Sequence, residues 1–235
     1  MCTVSLVPHP DSPDGFILTS NRDEAVSRKT LDPTSEVYKN TKIYCPVDVQ
    51  AGGTWIGVSE KKRAVCLING SEKPHTREEW YRKSRGIVVK DFLALKNALK
   101  SAAEYKLEGI EPFTMIVADW RNGLLFFEVS WDGKTRRITQ LPLKEHIWSS
   151  SPLYSEEMKE LRKKWFRELK SSKGFSPKHL LDFHHSGGTG DKNTDLIIDR
   201  GFLKTQSITQ IFNSKEGLLF WYKNLKNSSI TETYF

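Results

Sequence analysis

The chain has 235 residues, with 36 Lys and Arg against 29 Asp and Glu and a net charge of +7. Apolar residues at 37% and charged residues at 28% exclude collagen-like, low-complexity and generally disordered classes, and the length suits one domain over 1–235. No apolar run approaches the roughly 18 to 20 residues of a membrane span, and MCTVSLVPHPDSPDG lacks the features of a leader, so a cytoplasmic protein is expected.

The first quarter reads as strands. Cys2 to Val7 and Gly15 to Ser20 are β-prone and flank a Pro- and Asp-rich turn, which predicts an N-terminal hairpin. Thr54 to Val58 and Ala64 to Ile68 predict a second hairpin around Glu60-Lys61-Lys62. Thr76 and Glu79 have the spacing of a capping box, and Val88, Phe92, Leu95 and Leu99 predict a helix over Val88 to Tyr105. Strands are expected at Thr114 to Asp119, Leu124 to Val129 and Arg136 to Gln140. Ser151-Pro152 reads as the start of a helix toward Lys170, with Met158, Leu161, Trp165, Phe166 and Leu169 as its apolar stripe and a basic outer face. Asp195 to Asp199, Leu203 to Phe212 and Leu218 to Tyr222 complete the strands. Strand blocks alternating with helix blocks, joined by short turns, imply an α+β fold with largely antiparallel sheets.

Cys2, Cys45 and Cys66 are an odd set without a CxxC pair, so neither a disulfide framework nor a zinc ribbon is indicated. Cys2 has two readings. It is either a small buried strand residue or, once Met1 is removed, a thiol that shares its residue with a free α-amine of pKa about 7.7 to 8.0, nucleophile and base together. Asn21-Arg22-Asp23-Glu24 crowds polar groups at the end of the second strand. An arginine near a cysteine favours thiolate and a carboxylate orients an α-amine, although the same residues also suit a solvated strand end. Ala51-Gly52-Gly53-Thr54-Trp55-Ile56-Gly57 permits close backbone approach but lacks phosphate-loop spacing. Asn69-Gly70 is a turn signal that could also aim a donor at an oxyanion. His184-His185 has no carboxylate or third histidine at ligand spacing, so no metal is assigned.

Taken together, MCT at the start, Thr19 to Glu24 (TSNRDE), Ala51 to Ser59 (AGGTWIGVS) and Leu67 to Asn69 (LIN) resemble the NRDE family, which includes the transport-and-Golgi-organisation proteins. Ser84-Arg85-Gly86, Glu111 to Trp120 (EPFTMIVADW) and Trp148 to Tyr154 (WSSSPLY) look like later landmarks of the same family. The resemblance implies a four-layer αββα sandwich of the N-terminal-nucleophile type, similar to conjugated bile-acid hydrolases and penicillin V acylases. Carried over by position, it makes Cys2 the nucleophile and base, Arg22 the support of the thiolate, Asp23 the holder of the α-amine and Asn69 the oxyanion donor. Asn21, Glu24, Thr54, Trp55 and Ser150 become candidate substrate contacts. Ser150 stands where the acylases carry an asparagine, and Thr189 to Thr194 departs from the family's Gly-Thr-Arg-like segment.

Two functions follow from this reading. One is a cysteine hydrolase that cleaves a linear, non-peptide amide of a small molecule without a cofactor. The other is a non-catalytic carrier holding haem or a lipid-derived ligand in the same cleft. The spread of positive charge, without a nucleic-acid motif, argues against nucleic acid as partner.

Overall fold

The computed structural model describes residues 3–235, so Met1 and Cys2, with the expectations placed on Cys2, lie outside the described residues. The chain forms two compact units, one made of the segment up to Arg28 together with Lys144–Phe235, the other of Lys29–Leu143. Each unit is an antiparallel sheet with a pair of helices, which makes the fold α+β.

In the first unit, β1 (Thr3–Pro8) and β2 (Phe16–Ala25) form the expected N-terminal hairpin. They sit inside a six-stranded sheet of order β10-β1-β2-β11-β12-β13, with β10 at His146–Ser149, β11 at Leu203–Ser214, β12 at Gly217–Asn224 and β13 at Ile230–Tyr234. Strand alternation gives this sheet two chemically distinct faces. Val7 and Ile17 face the helices α3 (Glu156–Lys173) and α4 (Pro177–Ser186), where they pack with Phe166, Leu180, Phe183 and Leu196. The apolar stripe read from the sequence supplies Phe166, Trp165 and Leu169 to that cluster. Met158 packs instead with Tyr154, Ile198 and Leu203.

The second unit is a seven-stranded meander, β3 (Thr30–Tyr38), β4 (Thr41–Asp48), β5 (Ile56–Ser59), β6 (Arg63–Asn69), β7 (Phe113–Asp119), β8 (Leu125–Trp131) and β9 (Arg136–Leu141), in chain order across the sheet. The helices α1 (Arg85–Ala94) and α2 (Ala98–Glu104) interrupt it between β6 and β7. The start of α1 lies so close to the turn before β5 that a Cβ on Gly53 would come within 2.4 Å of the Gly86 carbonyl carbon. Thr54 N–H donates to the Gly86 carbonyl at 3.2 Å, so the two glycine motifs meet backbone to backbone.

Several expected elements differ. Thr76 starts no helix: the segment carries an exposed Trp80 and no apolar stripe to bury, and the cap is Ser84, whose hydroxyl accepts from Ile87 N–H at 3.3 Å. The helix expected over Val88 to Tyr105 is two. Arg63, itself buried, donates through Nη1 to the carbonyls of Phe92 and Leu95 and closes α1, and Asn97 caps α2. Ser151 and Pro152 lie in a turn in which the Ser150 carbonyl accepts from Leu153 and Tyr154 N–H, so α3 starts only after Ser155. Asp195 to Asp199 is not a strand. Its Leu196 and Ile198 are buried, but Asp195 folds back to accept from Thr189 and Gly190 N–H, both at 2.8 Å. Asn21 to Glu24 do not follow the second strand but lie within it.

One charged cluster anchors α1. The Asp91 carboxylate, buried on that helix, accepts from Lys39 at 2.5 Å, Lys83 at 2.7 Å, Tyr105 at 2.5 Å and Tyr38 at 2.9 Å. Burial alone would raise this carboxyl, but the four hydrogen bonds outweigh it and hold it down at about 2. Its folded value lies below its unfolded one, so its contribution is complete above about pH 4 and is lost as pH falls toward 2. We expect Asp91→Asn to cost about 1 to 3 kcal/mol in chemical denaturation at pH 7, because it removes the buried acceptor that Tyr38, Tyr105, the part-exposed Lys83 and the exposed Lys39 share, and to flatten the acid limb of the stability profile. A loss under about 1 kcal/mol would show that the cluster is solvated.

Candidate functional site

The NRDE segment occupies the C-terminal half of β2, between β1 and β11. Thr3 is paired with Asn21 on one side and with Ser149 on the other. Ser150, fully buried, follows that pairing directly. On the other flank, the register of β2 with β11 shifts between Thr205 and Ser207, so an extra residue, Gln206, is accommodated opposite Arg22 and Asp23. A bulge of this kind bends the strand and re-aims side chains, and it falls where the charged residues stand.

Asn21 and Asp23 share the helix-facing side of the sheet, and Arg22 points to the other. All three are buried. Asp23 is gripped at both carboxylate oxygens: Tyr154 donates to Oδ2 at 2.6 Å and Thr205 to Oδ1 at 2.5 Å. Thr205 is held in turn by Ile198 N–H, which donates to its hydroxyl at 2.9 Å. Glu24 is only half-buried; its carboxylate accepts from Ala25 N–H and lies 3.8 Å from Arg28.

Asn21, expected at the substrate, is turned onto the protein. Its amide nitrogen donates to the carbonyls of His184 at 3.0 Å and Leu196 at 2.6 Å, and its oxygen faces His184 Nδ1 at 2.6 Å. With the amide hydrogens spent on carbonyls, the oxygen accepts, so His184 carries its proton on Nδ1, and Nε2 accepts from Ser5 Oγ at 2.8 Å. Complete burial, with a smaller contribution from the Arg162 charge, pushes this histidine down to about 3, so it is neutral at ordinary pH.

Asn69, Thr54 and Trp55 belong to the second unit. Asn69 ends β6 opposite Phe113, and the Gly70 that follows has a left-handed φ of 78°. The Thr54 hydroxyl donates to the Ile56 carbonyl at 2.8 Å, a local turn, and Trp55 is buried. Among the described residues no group of three His, Cys, Asp or Glu could hold a metal ion, and no helix is long and apolar enough to cross a membrane. Cys45 and Cys66 are buried. Burial, reinforced by Glu36, pushes the Cys45 thiol up to about 12, which makes it unreactive.

The sequence reading missed Tyr154, Thr205 and Arg162, and weighed His184 only as a metal ligand. Tyr154 closes the WSSSPLY segment, and Arg162 is a charged residue four positions after Met158 on an apolar stripe, which was a usable signal. Thr205 meets Asp23 through strand register, which spacing does not encode.

The family model for Transport and Golgi organisation 2 matches residues 1–198. No curated protein matches the chain in sequence. Among solved structures, a penicillin V acylase from Agrobacterium tumefaciens is similar with a TM-score of 0.61 at 11% identity, covering 100% of this chain and 86% of that one. A variant of conjugated bile acid hydrolase from Clostridium perfringens has a TM-score of 0.57 at 12% identity, covering 99% and 92%. The N-acylethanolamine-hydrolyzing acid amidase orthologue of Caenorhabditis elegans has a TM-score of 0.59 at 12% identity, covering 89% and 92%. The chain thus has the fold of the N-terminal-nucleophile hydrolases.

The neutral His184 makes a further expectation. Its folded value lies below the unfolded value of about 6.5, so unfolding takes up a proton and stability falls as pH drops below that point. The stability difference between the natural chain and His184→Gln should therefore narrow on acidification from pH 7 to 4, by up to about 1.4 kcal/mol per pH unit. A difference that stays constant over this range would mean that the imidazole is already charged in the fold.

Proposed function

Because this chain belongs to the Transport and Golgi organisation 2 family, whose model spans most of it, we propose that it is an N-terminal-nucleophile amidohydrolase acting on a linear, non-peptide amide of a small molecule. The observation that carries the reading is the Asp23 carboxylate. A buried carboxylate clamped by Tyr154 and Thr205, on the strand paired with the one that follows Cys2, is suited to hold a cationic group in a fixed place. The α-amine of Cys2 is such a group once Met1 is removed.

In this reading the amine takes the thiol proton, and Asp23 stabilises the resulting ammonium. The thiolate attacks the amide carbonyl carbon, and the ammonium returns its proton to the leaving amine as the C–N bond breaks. Water then hydrolyses the thioester, with the amine again as base, and releases the acid. Arg22, on the opposite face of the sheet from Asp23, supports the thiolate or an anionic group of the substrate. The half-buried Glu24 and the buried Ser150 flank this strand end as candidate substrate contacts. The names of the solved relatives, a penicillin V acylase, a conjugated bile acid hydrolase and an N-acylethanolamine-hydrolyzing acid amidase, point to an acyl–amine bond as the class to screen.

The test is a panel of N-acyl amides, fatty, aromatic and steroidal, assayed for amine release with protein whose N-terminal residue has been identified. We expect turnover by chains that begin at Cys2, none by Cys2→Ala, and a loss of at least a hundredfold in Asp23→Asn, with all variants folded. Equal turnover by Cys2→Ala would contradict the proposal. So would saturable binding of a haem or acyl ligand with no turnover of any amide.

A further inference from the structure

The most unusual buried group in the first unit is a cation. Arg162 lies in the middle of α3 and is completely buried, yet among the described residues no carboxylate lies within salt-bridge distance of it. Its Nη1 donates to Thr3 Oγ1 at 2.8 Å, and its Nη2 donates to the carbonyls of Thr194 at 3.0 Å and Asp195 at 2.7 Å. The Nε has no hydrogen-bond partner among the described residues. The guanidinium carbon lies 3.5 Å from the centre of the Tyr154 ring, a stacked cation–π contact. Burying a guanidinium with its Nε–H unpartnered and no ion pair among the described residues is costly. An apolar side chain would fill that place on the helix stripe without this cost, so packing does not account for an arginine there.

Its contacts suggest what does. Arg162 reaches Thr3, the residue after Cys2, and also the ring of Tyr154, whose hydroxyl is bonded to Asp23 Oδ2. One side chain thus fixes both the first residue of the strand that follows the proposed nucleophile and the tyrosine that orients the proposed partner of its amine. The positive charge over the tyrosine ring polarises the O–H toward the carboxylate and strengthens that hydrogen bond.

Resting on the amidohydrolase reading, we propose that Arg162 and Tyr154 are positioning residues that act through Thr3 and Asp23 to set the distance and orientation between the Asp23 carboxylate and the Cys2 α-amine. Neither touches the substrate. Without them the carboxylate turns away, the ammonium is less well supported, and the neighbouring thiol gives up its proton less readily.

The experiment uses iodoacetamide as the probe and needs no substrate. The rate of Cys2 alkylation is followed from pH 5 to 10 by peptide mass spectrometry in the full-length chain and in Tyr154→Phe, Arg162→Lys and Arg162→Met, with circular dichroism and thermal midpoints recorded alongside. Tyr154→Phe keeps the ring and the stack and removes only the hydroxyl, so it remains informative if Arg162→Met does not fold. We expect the natural chain to alkylate at Cys2 with a midpoint well below the free-thiol value of about 8.5. Tyr154→Phe and Arg162→Met should raise that midpoint by about one pH unit, roughly a tenfold loss of rate at pH values below both midpoints, and Arg162→Lys should fall between them and the natural chain. Midpoints that do not move while thermal stability falls would overturn the inference and leave the residues purely structural. An ordinary Cys2 midpoint in the natural chain, or a retained Met1, would instead overturn the amidohydrolase reading and this inference with it.

Discussion

Putting Asn21, Arg22 and Asp23 inside a buried strand is the constraint that shapes the first unit. A carboxylate and an amide removed from water need a full set of partners, and the partners come from far along the chain: Tyr154, Thr205, His184 and Leu196. The turn before α3, the C-terminus of α4, the bend at Asp195 to Asp199 and the bulge in β11 each place one of them. These irregular features, at which the chain departs from regular secondary structure, are arranged around two residues of one strand.

The two faces of β2 divide the work. The helix-facing side is a buried network with both amide hydrogens of Asn21 spent and a carboxylate clamped at Asp23. Arg22 is presented to the opposite face. Alternation in the strand therefore turns the Asp23 carboxylate and the Arg22 guanidinium to opposite faces within a single residue step, the separation that their proposed roles toward an amine and a thiolate would use. The second unit is built differently, as a meander in chain order whose helices are anchored by Arg63, by the Gly53–Gly86 approach and by the Asp91 cluster.

Local signals were legible where they were also decisive. The N-terminal hairpin, the β5–β6 and β7–β8–β9 strands and the inward stripe of α3 all followed from periodicity. Legibility failed where a distant partner set the outcome. The Thr76 and Glu79 spacing had no apolar run behind it, the break after Leu95 depends on an arginine of β6, and Leu196 and Ile198 alternate in burial without a ladder. The β3–β4 hairpin turns through Lys39 and Asn40, both with positive φ, rather than through the Asn-Gly pair that marks such turns. The candidate residues themselves were found by motif, whereas the groups that hold them, Tyr154, Thr205 and Arg162, belong to contacts that span more than 100 positions.

The central claim is that the residue after Met1 forms the covalent intermediate. The most direct measurement is to quench the chain with acid during incubation with an N-acyl amide and locate any added acyl mass by peptide mapping. The account predicts a thioester on a peptide that begins at Cys2, absent from Cys2→Ala. An acyl group on any other residue, or a peptide that still begins at Met1 in protein turning over the amide, would contradict it.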